Sequence, residues 1–284
     1  MSGDGPDPVA DLVRAADFDR YASTLFAPAV ARPHLLALYA FDVELARIRD
    51  LVSEPMPGEI RLQWWRDVIE APERSDAAGH PVARALEGAI AYGQLPRGAL
   101  LDLIDARADD LYDDPVASIG ELEGRLGATV SSMLRLACLV TAAGRDPGGA
   151  DVAGFGGIAL GIVRTLRLLP AAPARAQALL PVDLMTQHDV SRDEVIAGRS
   201  GAGLSAVASE LGALARGRLA EARTAFPTLD PAAAAATLPL ALVERDLGRL
   251  PRGGGREPFS PLPEEARWRR MVALWRASRR TPPF

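Results

Sequence analysis

Residues 32–54 read RPHLLALYAFDVELARIRDLVSE. Pro33 suits the first turn of a helix, where its missing N–H is no loss. Leu38, Leu45 and Ile48 then recur at near-helical spacing, so the helix runs to about Leu51, and Glu54-Pro-Met-Pro-Gly58 stops it. The same period extends outward in both directions. Helices are expected at 8–20 (Val9, Leu12, Val13, Ala16), 59–71 (Ile60, Trp64, Trp65, Val68), 81–93, 97–112 and 118–143. Others follow at 154–169, 201–224, 231–249 and 263–278, and Ser191 to Glu194 has the form of a capping box. The reading is all-α: one helical domain over 8–249, a Gly/Pro connection over 250–262, and an amphipathic Arg/Trp helix over 263–284.

Composition narrows the function. The 284 residues are 48% hydrophobic and 24% charged, which fits a packed core and not a disordered chain. All 32 basic side chains are Arg, so a Lys Schiff base and a Walker lysine are excluded. A net charge of −5 argues against a nucleic-acid partner. The lone Cys138 permits no intrachain disulfide, and His34, His80 and His188 lack metal-ligand spacing. The start carries Asp4, Asp7 and Asp11 and no apolar core, so no secretory signal is expected. The longest uncharged stretches, 152–163 and 231–243, fall short of a membrane span.

Acids and arginines are the candidates for chemistry. Residues 102–114 read DLIDARADDLYDD, with Asp102, Asp105 or Asp109, and Asp113 near one helical stripe. Such a stripe is either a solvated face or a holder of Mg2+, which takes oxygen ligands. Asp50 and Glu54, four apart, carry the same two readings. Arg164 and Arg167 interrupt an apolar segment and need partners if buried: a diphosphate, or carboxylates such as Asp50. Trp64 and Trp65 read as packing residues, and Cys138 as a small core residue. In the C-terminal helix, Trp268, Met271, Val272 and Trp275 share one face among arginines. That face either closes the core or lies on an anionic bilayer or a partner.

RPHLLALYAF (32–41), HPVARALEGAIAYGQLP (80–96), LLDLIDARADDL (100–111), the stretch from Arg125 to Val130 and LLPVDL (179–184) resemble the squalene/phytoene synthase family, over roughly residues 18–225. The resemblance implies the all-helical isoprenoid-synthase fold. It also implies head-to-head joining of two prenyl diphosphates, with Mg2+ held by Asp-rich motifs on two facing helices. A multiply charged leaving group needs that metal and arginine charge beside an apolar tunnel. Here the motif positions have changed. The first motif, Asp-Asp-x-x-Asp, aligns with Ala46, Arg47 and Asp50, leaving one acid. In the second, Gly161 and Arg164 stand for the family's Gln and Asn, Arg167 is kept, and Leu168 and Ala172 take the acid positions.

FDVELARIRDLVSE (41–54), RLQWWRD (61–67) and GIALGIVRTLRLLP (157–170) are similar to the mitochondrial complex I assembly factor 6 subgroup, this chain resembling a bacterial relative. That subgroup is regarded as non-catalytic. The resemblance therefore implies a synthase-like protein that assists assembly of respiratory complex I and binds a prenyl or other lipid. The alternative is an Mg2+-dependent head-to-head prenyl transferase acting on farnesyl or geranylgeranyl diphosphate; a plain lipid carrier is a third reading. Under the first, no catalytic, cofactor or metal residue is assigned, and no cofactor is expected. The candidate pocket residues are Tyr39, Asp50, Glu54, Asp110, Arg164 and Arg167. The expected partners are complex I subunits or assembly intermediates, a prenyl lipid and an anionic membrane surface. The expected location is the cytoplasm, peripheral on the inner membrane.

Overall fold

In the computed structural model, described for residues 7–71, 73, 76–112, 114–175, 177, 179–250, 259 and 265–284, helices carry the fold. Among the described residues no strand forms; Gly148 and Leu229 make an isolated bridge. The first helices are α1 (Pro8–Ala16), α2 (Phe18–Thr24), α3 (Arg32–Leu51), α4 (Pro55–Glu70), α5 (Pro81–Gly93) and α6 (Arg97–Ala108). After them come α7 (Ile119–Leu126), α8 (Ser132–Thr141), α9 (Ala150–Leu168), α10 (Ala172–Arg175), α11 (Val182–Gln187) and α12 (Arg192–Ile196). The last are α13 (Ala202–Ala225), α14 (Val243–Arg249) and α15 (Arg267–Ala277).

Local chemistry sets the boundaries. Asp7 caps α1 by accepting from the Val9 and Ala10 N–H groups. The capping box at Ser191 and Glu194 forms as expected. Where one helix was expected over 8–20 there are two, because Asp17 breaks the run and accepts from Arg20 N–H as the cap of α2. The Glu54–Gly58 run stops α3 but also starts α4, with Pro55 in the first turn. The helix expected over 118–143 is divided by a wide π turn at Gly127–Ser131. There Ser131 Oγ donates to Gly154 O at 2.8 Å, tying the turn to α9. The segment expected as helix from 231 is 3-10 over Pro231–Leu242, with Pro239 inside it unable to donate. Only Val243–Arg249 is α-helical. The Gly/Pro connection placed at 250–262 lies outside the described residues except Leu250 and Phe259, which pack on the second core.

There are two main cores. One gathers Leu35, Leu38, Phe41, Leu62, Leu86, Leu103 and Leu136 from α3, α4, α5, α6 and α8. The other gathers Ile162, Leu166, Val207, Leu211 and Leu219, where α9 runs along α13. Each such fully buried side chain contributes about 1.5–3 kcal/mol of transfer free energy. α9 is the central strut. A Cβ at Gly157 would meet the Ser131 backbone at 2.4 Å, and one at Gly161 would meet Leu126 at 2.6 Å. Its continuation, Ala150–Ala174, is apolar and long enough to cross a membrane, but it is mostly buried inside the fold. The uncharged stretches fell short of a span because Asp151, Arg164 and Arg167 interrupt it.

Candidate functional site

A cavity of about 780 Å3 opens where α2, α3, α7, α9, α14 and α15 approach one another. Leu126, Val130, Leu160, Val163 and Leu242 give it an apolar wall. Much of the rest is charged, and two groups of these charges are matched.

The first group centres on Asp42, buried on α3. Arg20 Nη1 donates to its Oδ2 at 2.5 Å and Arg107 Nη2 to its Oδ1 at 2.8 Å. Arg107 Nη1 also reaches Asp110 Oδ2 at 3.1 Å. Beside them Arg164 Nη2 donates to Asp17 Oδ2 at 2.7 Å. Burial pushes the Asp42 carboxyl up, but Arg107 and Arg20 outweigh it and hold the group well below the carboxylate range. Asp17 is lowered in the same way, Arg164 and Arg20 overcoming its burial.

The second group is built on Arg270 of α15. It grips Asp19 with two bonds of 2.5 Å, from Nε and Nη2. It also donates to Asp246 at 2.7 and 3.0 Å. Arg167 Nη1 completes this group at 3.1 Å from Asp246 Oδ2. Glu265, nearly fully buried, takes Arg245 and Arg249, the latter at 3.2 Å.

Mg2+ demands a near-octahedral shell of oxygens. Here the carboxylates of Asp17, Asp19, Asp42, Asp110 and Asp246 are already bound by guanidinium groups, and arginine supplies no lone pair to a metal. Among the described residues, no three His, Cys, Asp or Glu side chains are placed to hold a metal ion. The residues present do not fit the synthase metal. What the site offers is an apolar wall able to take a hydrocarbon chain, next to a charge-balanced floor.

The six candidate residues separate. Asp110, Arg164 and Arg167 line the cavity, and so does Asp50. Glu54 does not: α3 ends at Leu51 and Val52 is extended, so Glu54 sits exposed at the start of α4 and shares no helical face with Asp50. Tyr39 is buried behind the site with Arg20 over its ring at 5.0 Å. The partner anticipated for the two arginines, Asp50, is replaced by Asp17 for Arg164 and by Asp246 for Arg167.

The acidic stripe also parts, because α6 gives way to a 3-10 turn at Asp109. Asp105 turns to Arg66 at 2.5 Å, Asp102 is exposed, and Asp109 lines the cavity. Asp113 lies outside the described residues. Of the motif positions, Ala46, Arg47, Gly161 and Leu168 line the cavity.

The sequence does not single out Asp17, Asp19, Arg20, Asp42, Arg107 or Asp246, and Arg270 counts there only among the arginines of the C-terminal helix. One signal was available: Asp42 follows Phe41 in an otherwise apolar turn, where a charge needs a partner.

Of the two seatings open to the C-terminal helix, the one in which its tryptophan face closes the core is not adopted. Arg270, Leu274 and Ala277 face inward, whereas Trp268 and Trp275 stand out in solvent. A buried arginine with two carboxylate partners outcompeted the tryptophan stripe for the inner face.

The profile of the family described as Squalene/phytoene synthase matches residues 13–275. NADH dehydrogenase (ubiquinone) complex I, assembly factor 6, from Rattus norvegicus is 37% identical over 186 residues, 66% of this chain and 56% of that protein. The Homo sapiens protein of the same name is 31% identical over 242 residues, 85% of this chain and 72% of that one. This chain thus spans little more than half the length of the rat protein. A dehydrosqualene synthase crystal structure shares the fold with a TM-score of 0.76 at 15% identity, covering 94% of this chain and 93% of that one.

Proposed function

The chain belongs to the squalene/phytoene synthase family, and from that premise we propose that it assists assembly of respiratory complex I without joining prenyl diphosphates. The observation that carries this reading is the neutralised cavity floor. A synthase needs carboxylates free to take metal; here Ala46, Arg47, Leu168 and Ala172 stand at acid positions of the motifs, and the nearby Asp17, Asp19, Asp42 and Asp246 are committed to Arg164, Arg270, Arg20 and Arg107, and Arg167. The names of the assembly-factor relatives support the same reading.

The cavity keeps its apolar wall, so we propose that it takes a prenyl or other lipid, with no metal or cofactor. The partners would be complex I subunits or assembly intermediates. The site of action would be the cytoplasmic face of the inner membrane.

The decisive experiment is clean deletion in the native host, with assembled NADH:ubiquinone oxidoreductase and its activity as readouts. Loss of the assembled complex, restored by the wild-type gene, is expected. Normal assembly in the deletion strain would sink the proposal. In parallel, purified protein offered farnesyl or geranylgeranyl diphosphate with Mg2+ should release no diphosphate. Formation of a joined hydrocarbon would favour the prenyl transferase instead.

A further inference from the structure

The arginines of this chain are mostly ion-paired, and α15 breaks that habit. Among the described residues, Arg269, Arg276, Arg279 and Arg280 make no ion pair. Two of them lie over exposed tryptophans instead: Arg269 over Trp268 at 5.3 Å and Arg279 over Trp275 at 3.8 Å. Trp268 is 64% exposed and Trp275 43% exposed. At helical pitch, Trp268, Val272 and Trp275 fall within an arc of about 60°, opposite Leu274 and Ala277. Residues 266–280 hold six arginines and no acid, so the rest of the chain carries −11 against −5 for the whole. Among them Arg269, Arg276, Arg279 and Arg280 are exposed and give the outward side of α15 a net positive charge.

We infer that the outward face of α15 is a docking surface for an anionic lipid bilayer. Tryptophan rings flanked by arginines suit the headgroup layer, where the ring is buried and the guanidinium stays with the phosphates. The net positive charge fits an anionic surface. The face stands in solvent, with both tryptophans exposed. It is also preformed: Arg270 is locked to Asp19 and Asp246, and Leu274 is fully buried, so the helix need not fold on binding.

Arg267 and Arg270 of the same helix line the cavity. Docking would therefore bring the cavity within about one helix diameter, roughly 10 Å, of the headgroups. This gives the membrane-peripheral role proposed above a specific contact, and it rests on that reading.

The test is vesicle co-sedimentation of the full chain. Vesicles of mixed phosphatidylglycerol and phosphatidylcholine are compared with pure phosphatidylcholine, at low and high salt. Selective binding to the anionic vesicles, weakened by salt, is expected. Replacing both exposed tryptophans (W268A/W275A) should reduce it at least about tenfold, and each of R269Q, R276Q and R279Q roughly fivefold. These side chains are exposed or half-exposed, and an unchanged melting temperature would show the variants folded. Wild-type emission should shift to the blue on anionic vesicles, and the double variant's should not. No binding by the wild type, or binding untouched by the tryptophan replacements, would overturn the inference. So would binding to an acidic protein partner through this face without vesicle binding. The deletion strain separates this inference from the assembly role: no vesicle binding by the wild-type protein, with complex I assembly still lost on deletion, would remove only the docking surface.

Discussion

α3 and α9 look into the same cavity and bring unlike charges to it, a buried acid on α3 and part-exposed cations on α9. α3 contributes the acid Asp42, and α9 contributes the cations Arg164 and Arg167. Two acidic helices facing each other repel until a cation enters between them. Here each side is neutralised from elsewhere in the chain: Arg20 and Arg107 serve α3, while Asp17 and Asp246 serve α9. The difference teaches that each helix has its charge answered by side chains from other parts of the chain. The fold then needs no ion to relieve its own repulsion.

The two sides differ in burial, and that gives the largest expected effect. Asp42→Ala leaves Arg20 and Arg107 without their shared carboxylate in a buried place, and should cost about 3–5 kcal/mol in urea denaturation. Arg164→Ala should cost less, about 1–3 kcal/mol. Arg164 is 30% exposed, and Asp17 keeps Arg20 at 3.6 Å. Equal losses would erase the contrast between the helices.

Acid should act on the same groups. Asp42 and Asp17 are held below their ordinary values when folded. Their contribution is complete above the unfolded carboxylate value, about 3.9. It is lost as pH falls from there through the folded values. Denaturation midpoints measured downward from neutral pH should drop below pH about 4, with a shallower slope in D42N.

A smaller effect concerns the ligand. With the floor already balanced, a diphosphate finds few uncommitted cations and no carboxylate set to hold Mg2+. Farnesol should bind at least as tightly as farnesyl diphosphate in calorimetry. Mg2+ should improve the diphosphate by less than about tenfold, or ~1.4 kcal/mol. A large Mg2+ gain would mean that carboxylates exchange their guanidinium partners for metal.

How much of this was legible beforehand differs between fold and site. The helices were readable because burial imprints a 3.6-residue period, as at Leu38, Leu45 and Ile48, all buried as spaced. The altered motif positions were readable too, and Ala46, Arg47, Gly161 and Leu168 do line the cavity. The pairings were not. Asp19 and Arg270 meet across 251 residues of chain, and no local period encodes such an encounter. Met271 and Val272 remain only partly buried, so the stripe that looked apolar by spacing did not set the seating of α15. Helical spacing says which residues share a face, but not which face a buried ion pair will claim.

The smallest expected effect falls on the acid that spacing singled out and the fold set aside. Glu54 is exposed, makes no capping hydrogen bond at the start of α4, and does not line the cavity. Its i, i+4 relation to Asp50 ends where α3 ends, at Leu51. Glu54→Ala should therefore shift stability by no more than about 0.5 kcal/mol and leave ligand affinity unchanged. Asp50→Ala, which alters a side chain lining the cavity, should leave the fold intact while changing ligand affinity measurably. If Glu54→Ala weakened ligand binding as much as Asp50→Ala, the chain turn after Leu51 would have to bring both carboxylates to one site, and the division between α3 and α4 drawn here would fail.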